Sequence, residues 1–166
     1  MNGPRTHTAA AICVLAAGLG LGIALASEHW GGLVPCALCL LERWPYRVAI
    51  VLGLVACFLP RGLARWGLVL VLLTMLVSVA LAGVHVGVEQ GWWPSPLPEC
   101  AAPRITAGNL AQRLDAMPAR PSKPCDAPTF LIPGLPLSMA AMNLLYSLVF
   151  VGALAGYLSG RVWRRR

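Results

Sequence analysis

Four runs of apolar residues, each long enough to cross a bilayer, constrain this chain more than any other feature. They lie at about 8–26, 36–59, 67–84 and 138–158. A span needs about 17–25 residues as helix, and helix is imposed because hydrocarbon cannot satisfy an open backbone. Hydrophobic residues make up 58% of the chain and charged residues 11%, where a soluble domain carries about 25% charged residues. The expected fold class is an all-α membrane protein. It is a single membrane domain over 1–166, a four-transmembrane-helix bundle with a long loop at about 86–136 between helices 3 and 4. The first run follows Arg5 and ends near Ala24-Leu25-Ala26-Ser27, as a signal peptide would. It exceeds the ~7–15-residue apolar core of a signal, so it reads as a retained span. Gly18, Gly20 and Gly22 in the first span, and Gly152 and Gly156 in the fourth, are spaced for close helix packing.

The net charge of +7 invites a nucleic-acid reading, but the placement of the charges excludes it. Arg161, Arg164, Arg165 and Arg166 follow the last apolar run, and Arg61 and Arg65 fill a tight turn, Pro60 to Trp66, between spans two and three. Basic residues at span ends set membrane orientation, with the positive side inward. Arg5 joins that side, and all six acidic residues fall on the other. Both termini are therefore expected to be cytoplasmic, with the long loop and the start of span two on the outer, periplasmic side. Within the loop, Thr106 to Met117 reads as a short amphipathic helix capped by Thr106, suited to the membrane surface. Trp92 and Trp93 follow span three, where interfacial aromatics anchor a helix.

Six cysteines are present, and topology sorts them. Cys13 and Cys57 lie inside spans, toward the cytoplasmic half, where a lone cysteine is an inert small hydrophobe. Cys36, Cys39, Cys100 and Cys125 all fall on the outer side, and an oxidising compartment favours disulfides there. Cys36 and Cys39 form a C-x-x-C pair behind Pro35, a residue favoured at helix starts. A helix N-terminus offers free N–H groups and partial positive charge, which stabilise the thiolate that attacks in disulfide exchange. Structural zinc shares this spacing but wants two close pairs. Cys100 and Cys125 are far apart in a Pro-rich loop, so no metal is expected and a loop-closing disulfide, structural or exchanging, fits better.

Arg43 follows Cys39 by four residues, on the same helical face one turn deeper. An ionisable residue inside a span costs energy and is a functional candidate. Arg47 is better read as snorkelling to the head groups. Pro45 removes a backbone donor and crowds the carbonyl of Leu41, which would bend span two near the cysteines.

The run Pro35-Cys36-Ala37-Leu38-Cys39-Leu40-Leu41-Glu42-Arg43-Trp44-Pro45-Tyr46 resembles the second-span signature of the DsbB family of bacterial disulfide bond formation proteins. Gly91-Trp92-Trp93-Pro94-Ser95-Pro96 before Cys100, and Pro124-Cys125-Asp126 before a last span with Leu137-Ser138-Met139-Ala140 and Asn143, are similar to it as well. The resemblance implies a protein-disulfide oxidoreductase of the bacterial inner membrane with a relay. Cys100 takes the mixed disulfide with a periplasmic DsbA-like, thioredoxin-fold oxidase. Cys125 exchanges with Cys100 and passes electrons to Cys36. Cys39 lies nearest a membrane quinone, ubiquinone or menaquinone, which Arg43 binds and polarises. The loop pair would sit in a mobile segment open to a water-soluble partner. His85 falls near a family histidine, and a quinone-facing and a helix-packing role are both open for it. Glu28 and His29 receive no assignment. The stretch Ala127 to Gly134 is richer in proline than the family pattern, which blurs the start of span four. Competing readings are a paralogue dedicated to one client oxidase and a non-catalytic membrane protein with a structural outer disulfide. A vitamin K epoxide reductase-like protein is disfavoured because there the loop cysteines precede the C-x-x-C.

Overall fold

The computed structural model describes residues 3–100, 123–132 and 134–163. Four long helices follow one another: α1 (Gly3–His29), α2 (Ala37–Phe58), α3 (Arg61–Glu89) and α4 (Met139–Trp163). A 3₁₀ turn at Pro98–Cys100 lies between α3 and α4. The described residues hold no strand, only isolated bridges between Cys36 and Lys123 and between Phe130 and Ser138. The amphipathic helix expected from Thr106 to Met117 lies outside the described residues. Helices α1, α3 and α4 are long and apolar enough to cross a membrane. Helix α2 is long enough but carries Glu42, Arg43 and Arg47 within its first three turns.

α2 packs along both α1 and α3, and α3 packs along α4, while α1 and α4 meet only lightly. A gap therefore opens between α1 and α4, floored by α2. The interfaces are built from small side chains: Ala10, Ala17, Ala49, Ala56 and Ala64 are fully buried, beside Leu68, Val71 and Met75. Small residues let helix backbones approach where lipid offers no hydrophobic drive between helices. Large apolar side chains point outward instead, with Leu15 at 73%, Phe58 at 88% and Val149 at 71% exposure. That inversion of a soluble core is what lipid as solvent produces.

The glycines only partly follow the sequence reading. A Cβ on Gly20 would meet the Tyr46 and Tyr146 rings, but Gly18, Gly22, Gly152 and Gly156 have nothing within 4 Å of such a Cβ. Their faces are open, so no helix uses them. The tight crossings lie elsewhere. A Cβ on Gly53 would stand 2.7 Å from Val14, and one on Gly67 would stand 2.8 Å from the Cβ of Ala56.

Helix ends follow local chemistry. The basic turn expected from Pro60 to Trp66 is shorter than that, because α3 starts at Arg61 directly after Pro60. Proline suits a helix start, and a charged first turn projects beyond the hydrocarbon without ceasing to be helical. Helix α2 runs unbroken through Pro45. The Ser138 hydroxyl accepts from the Ala141 N–H at 3.2 Å and caps α4. At the end of α3, Gly91 has φ +71. The Trp92 N–H donates to the Gly87 carbonyl and the Gly91 N–H to that of Val88, the paired bonds of a Schellman cap.

Trp93, expected only to anchor the helix, folds back on it. Its indole N–H donates to the Val84 carbonyl at 3.1 Å, and a Cβ on Gly87 would lie 2.0 Å from the ring. Gly87→Ala is therefore expected to expel the ring and cost about 1–3 kcal/mol. Trp93→Ala should cost a similar amount, and the double variant no more than either alone. Additive losses in unfolding of the detergent-solubilised protein would show the two positions to be independent.

Candidate redox site

Cys36 caps the N-terminus of α2 with an extended backbone, and its sulfur accepts the Cys39 N–H at 3.1 Å. Cys36 and Cys39 are free thiols, while Cys100 and Cys125 form a disulfide with Cα atoms 4.9 Å apart. The two pairs meet. Cys36 bridges the backbone of Lys123, and the Cys125 N–H donates to the Cys100 carbonyl at 3.3 Å. The Lys123 ammonium donates to the Pro128 carbonyl and the Thr129 hydroxyl, which fastens this segment into a turn. Cys36, Cys100 and Cys125 share one buried cluster with Leu38 and Val88, and Cys39 packs against it. The loop pair is thus not open to water as expected. Cys100 is 4% exposed and Cys125 1%, because the apolar disulfide is seated on Leu38 and Val88.

Behind the thiols runs a buried polar chain across α2, α3 and α4. His85 Nε2 lies 3.5 Å from Cys36 Sγ, and Nδ1 lies 2.8 Å from Glu42 Oε1. Glu42 Oε2 accepts from the Asn143 amide at 2.8 Å. Asn143 Oδ1 accepts in turn from the Tyr46 hydroxyl at 2.6 Å. The Ser138 hydroxyl donates to Glu89, whose other oxygen is 4.0 Å from His85 Nε2. A buried carboxylate is tolerated only when its lone pairs are occupied, and both oxygens of Glu42 are.

A cavity of about 160 Å³ opens between α1, α2 and α4. Cys39, Glu42, Arg43, Tyr46 and Asn143 line its polar side, with Ala24 and Met142 among its apolar walls. Cys36 is not at this wall, so the C-x-x-C pair is divided, with Cys39 facing the cavity and Cys36 facing the loop disulfide. Arg43 donates through Nη1 to Glu28 at 2.6 Å and through Nη2 to the Ala24 carbonyl at 3.4 Å. Its Nε is buried without a partner. Arg47 is exposed and lies 5.3 Å over the Trp44 ring. Cys13 and Cys57 lie with the apolar core residues of the bundle, in a different cluster from the two pairs.

His85, for which a quinone-facing and a helix-packing role are both open in the sequence, does not line the cavity. It stands on the thiol side of α2, away from the cavity wall, with one ring nitrogen against Glu42 and the other against Cys36. Two residues that the sequence reading passed over belong to the site. Glu28 holds Arg43 from the end of α1, and Glu42 is the hub of the polar chain. The signal for Glu42 was present, since an acid inside a span needs a partner. Glu28 offered none, because its pairing depends on where α1 ends.

This arrangement can pass a disulfide from one cysteine pair to another at the lipid boundary, and it places the chain among membrane thiol–disulfide oxidoreductases. Sequence comparison narrows the class. The chain belongs to the DsbB family, whose model, "Disulfide bond formation protein DsbB", matches residues 6–157. An uncharacterized protein of Rickettsia prowazekii (strain Madrid E) is 33% identical over 144 residues, covering 84% of this chain and 81% of the relative. A disulfide bond formation protein B of Azoarcus sp. (strain BH72) is 34% identical over 84 residues, 48% of each chain. One of Herminiimonas arsenicoxydans is 32% identical over 75 residues, 45% of this chain and 48% of that one. The matched stretch thus spans about half the length of these two named relatives. No solved structure matches the chain.

Proposed function

We propose that the chain reoxidises a periplasmic DsbA-type dithiol oxidase and delivers the electrons to a membrane quinone, ubiquinone or menaquinone. In this reading all four helices span the inner membrane, both termini are cytoplasmic and the four cysteines face the periplasm. Helix α2 crosses despite its charges because Glu42 and Arg43 turn into the bundle, at 7% and 8% exposure. The observation that carries the reading is the division of the C-x-x-C pair, one thiol on the loop disulfide and the other on the cavity.

The cavity suits the acceptor. A cavity of about 150 Å³ admits benzene, so about 160 Å³ takes a six-membered ring. Arg43 lines the cavity with its Nε unpartnered, and a small shift of the side chain would bring that donor to a ring carbonyl. A quinone held there supplies a two-electron, two-proton acceptor. The chain's own residues do the rest. A partner thiolate attacks Cys100, and Cys125 leaves as thiolate. Cys125 attacks Cys36 of the Cys36–Cys39 disulfide, and Cys39 leaves as thiolate at the cavity wall. Arg43 holds positive charge beside it, which stabilises that anion. Glu28 fixes the guanidinium by a bond that leaves Nε free.

Purified protein with quinone and a reduced DsbA-type partner is expected to consume quinone catalytically, read by absorbance. Arg43→Ala removes a charge-assisted donor worth about 1.5–3 kcal/mol, so KM for quinone should rise about 10–100-fold. Neither disulfide exchange with the partner nor quinone loss in the unaltered protein would leave a structural outer disulfide as the better reading. An unchanged KM in Arg43→Ala would remove Arg43 from the site.

A further inference from the structure

We propose that the reduced Cys36–Cys39 pair and His85 form a binding site for a thiophilic divalent cation of the zinc class. Cys36 Sγ, Cys39 Sγ and His85 Nε2 lie within 4.8 Å of one another. Tetrahedral zinc, with bonds of about 2.3 Å to sulfur and 2.0–2.1 Å to nitrogen, sets its ligand atoms roughly 3.6–3.8 Å apart. The Cys36 Sγ to His85 Nε2 distance is already 3.5 Å.

Two further features point to a ligand. Metal-bound histidines usually give their other ring N–H to a carboxylate, which fixes the tautomer and turns a lone pair toward the ion. His85 does this, with Nδ1 at 2.8 Å from the buried Glu42 and Nε2 directed at the thiols. Glu42 is itself fixed by Asn143, so the histidine is held from behind by two helices. The Cys39 N–H donates to Cys36 Sγ, which arranges C-x-x-C around a common point, as zinc-binding C-x-x-C spacing requires. Glu89, 4.0 Å from Nε2, is the nearest candidate for a fourth ligand, and Cys39 at the cavity wall gives a way in. The spacing rule that excluded zinc looks for a second cysteine pair nearby in sequence. Here the third ligand comes from α3, distant in sequence and adjacent in space.

Binding is a coordination step without electron transfer. The ion takes two thiolates and one neutral imidazole, and the two thiol protons go to solvent. The Cys36–Cys39 disulfide offers no thiolate, so the site exists only in the reduced state. An ion there would hold the reduced pair out of exchange, and that consequence rests on the relay proposed above. The site itself rests on geometry alone.

The test uses the full chain with Cys100→Ala and Cys125→Ala, in detergent, without quinone or partner, with Co²⁺ as the probe. The dithiol form is expected to take up one Co²⁺ per chain with thiolate-to-metal charge transfer and tetrahedral ligand-field bands, which Zn²⁺ then abolishes. The same protein oxidised to the Cys36–Cys39 disulfide should take up none. Glu42→Gln should weaken binding about 10–100-fold, as loss of an orienting carboxylate does, and His85→Gln by more. Absence of stoichiometric Co²⁺ from the dithiol form, equal uptake by the disulfide form, or unchanged affinity in His85→Gln would each overturn the proposal. The comparison of redox forms uses one protein in two states and needs no substitution at His85, so a misfolded His85 variant does not blunt it, and circular dichroism of that protein checks that it is folded. No turnover is measured, so failure here and failure of the quinone reading are separate results.

Discussion

Cys39→Ser is expected to stop quinone consumption while leaving the loop disulfide able to react once. The one disulfide that Cys36, Cys100 and Cys125 then share, Cys100–Cys125 or Cys36–Cys125, can still be reduced by the partner, so each chain should oxidise one equivalent of reduced partner and then stall. No route remains from the loop to the cavity. Cys36 stands against the loop pair, and the thiol facing the cavity is gone. Loss of a covalent participant that acts as part of a unit lowers turnover by on the order of 10⁴-fold or more. Acid quenching, thiol alkylation and mass spectrometry would count the partner oxidised per chain, and absorbance would follow the quinone. Continued multiple turnover would show that electrons leave by another residue. The buried state of Cys100 and Cys125 adds a kinetic expectation. The partner must lift the pair from Leu38 and Val88, so the single exchange should be slower than with a small dithiol peptide.

The largest expected effect on stability belongs to Glu42. Its two oxygens satisfy His85 on α3 and Asn143 on α4. Glu42→Ala strands both partners in the bundle interior. Each hydrogen bond to a charged acceptor contributes about 1.5–3 kcal/mol, and buried donors left unpaired add their desolvation cost. A loss of about 3–5 kcal/mol is expected, comparable to breaking a buried ion pair. Glu42→Gln keeps the shape and one acceptor and should lose less than half of that. Equilibrium unfolding in mixed micelles measures the difference. A Glu42→Ala variant within about 0.5 kcal/mol of the unaltered protein, the range of an ordinary surface substitution, would show the polar chain to be incidental.

What the sequence disclosed and what it hid divide along a physical line. The helices were legible because lipid imposes helix on any long apolar run, and the position of the C-x-x-C pair at a helix end because Pro35 favours a helix start. The apolar run put the start of span four near 138, where Ser138 caps α4, although the Pro-rich stretch before it blurs that start in the sequence. The contacts that join distant stretches were not legible. Nothing in the neighbourhood of His85 indicates that it meets Glu42 and Cys36 rather than the cavity, and nothing near Glu28 indicates Arg43. The glycine spacing in α1 and α4 suggested close packing on faces that are mostly open, whereas Gly53 and Gly67, with no second glycine at such a spacing, make the tight crossings. Periodicity reports which residues share a face; it does not report which helix that face meets. The burial of Cys100 and Cys125 was hidden for the same reason, since a Pro-rich loop reads as solvated until the surface beneath it is known.

The central claim is that the two cysteine pairs form one relay in which Cys36 and Cys125 exchange directly. Non-reducing peptide mapping of the Cys39→Ser variant tests it most directly. With no Cys39 to reclaim it, Cys36 can attack Cys125 in the loop disulfide, releasing Cys100 as a thiolate and conserving the number of disulfides. The relay predicts a Cys36–Cys125 linked peptide with Cys100 free for alkylation. A map containing only Cys100–Cys125, with Cys36 always alkylated, would contradict it and leave the loop disulfide a structural staple.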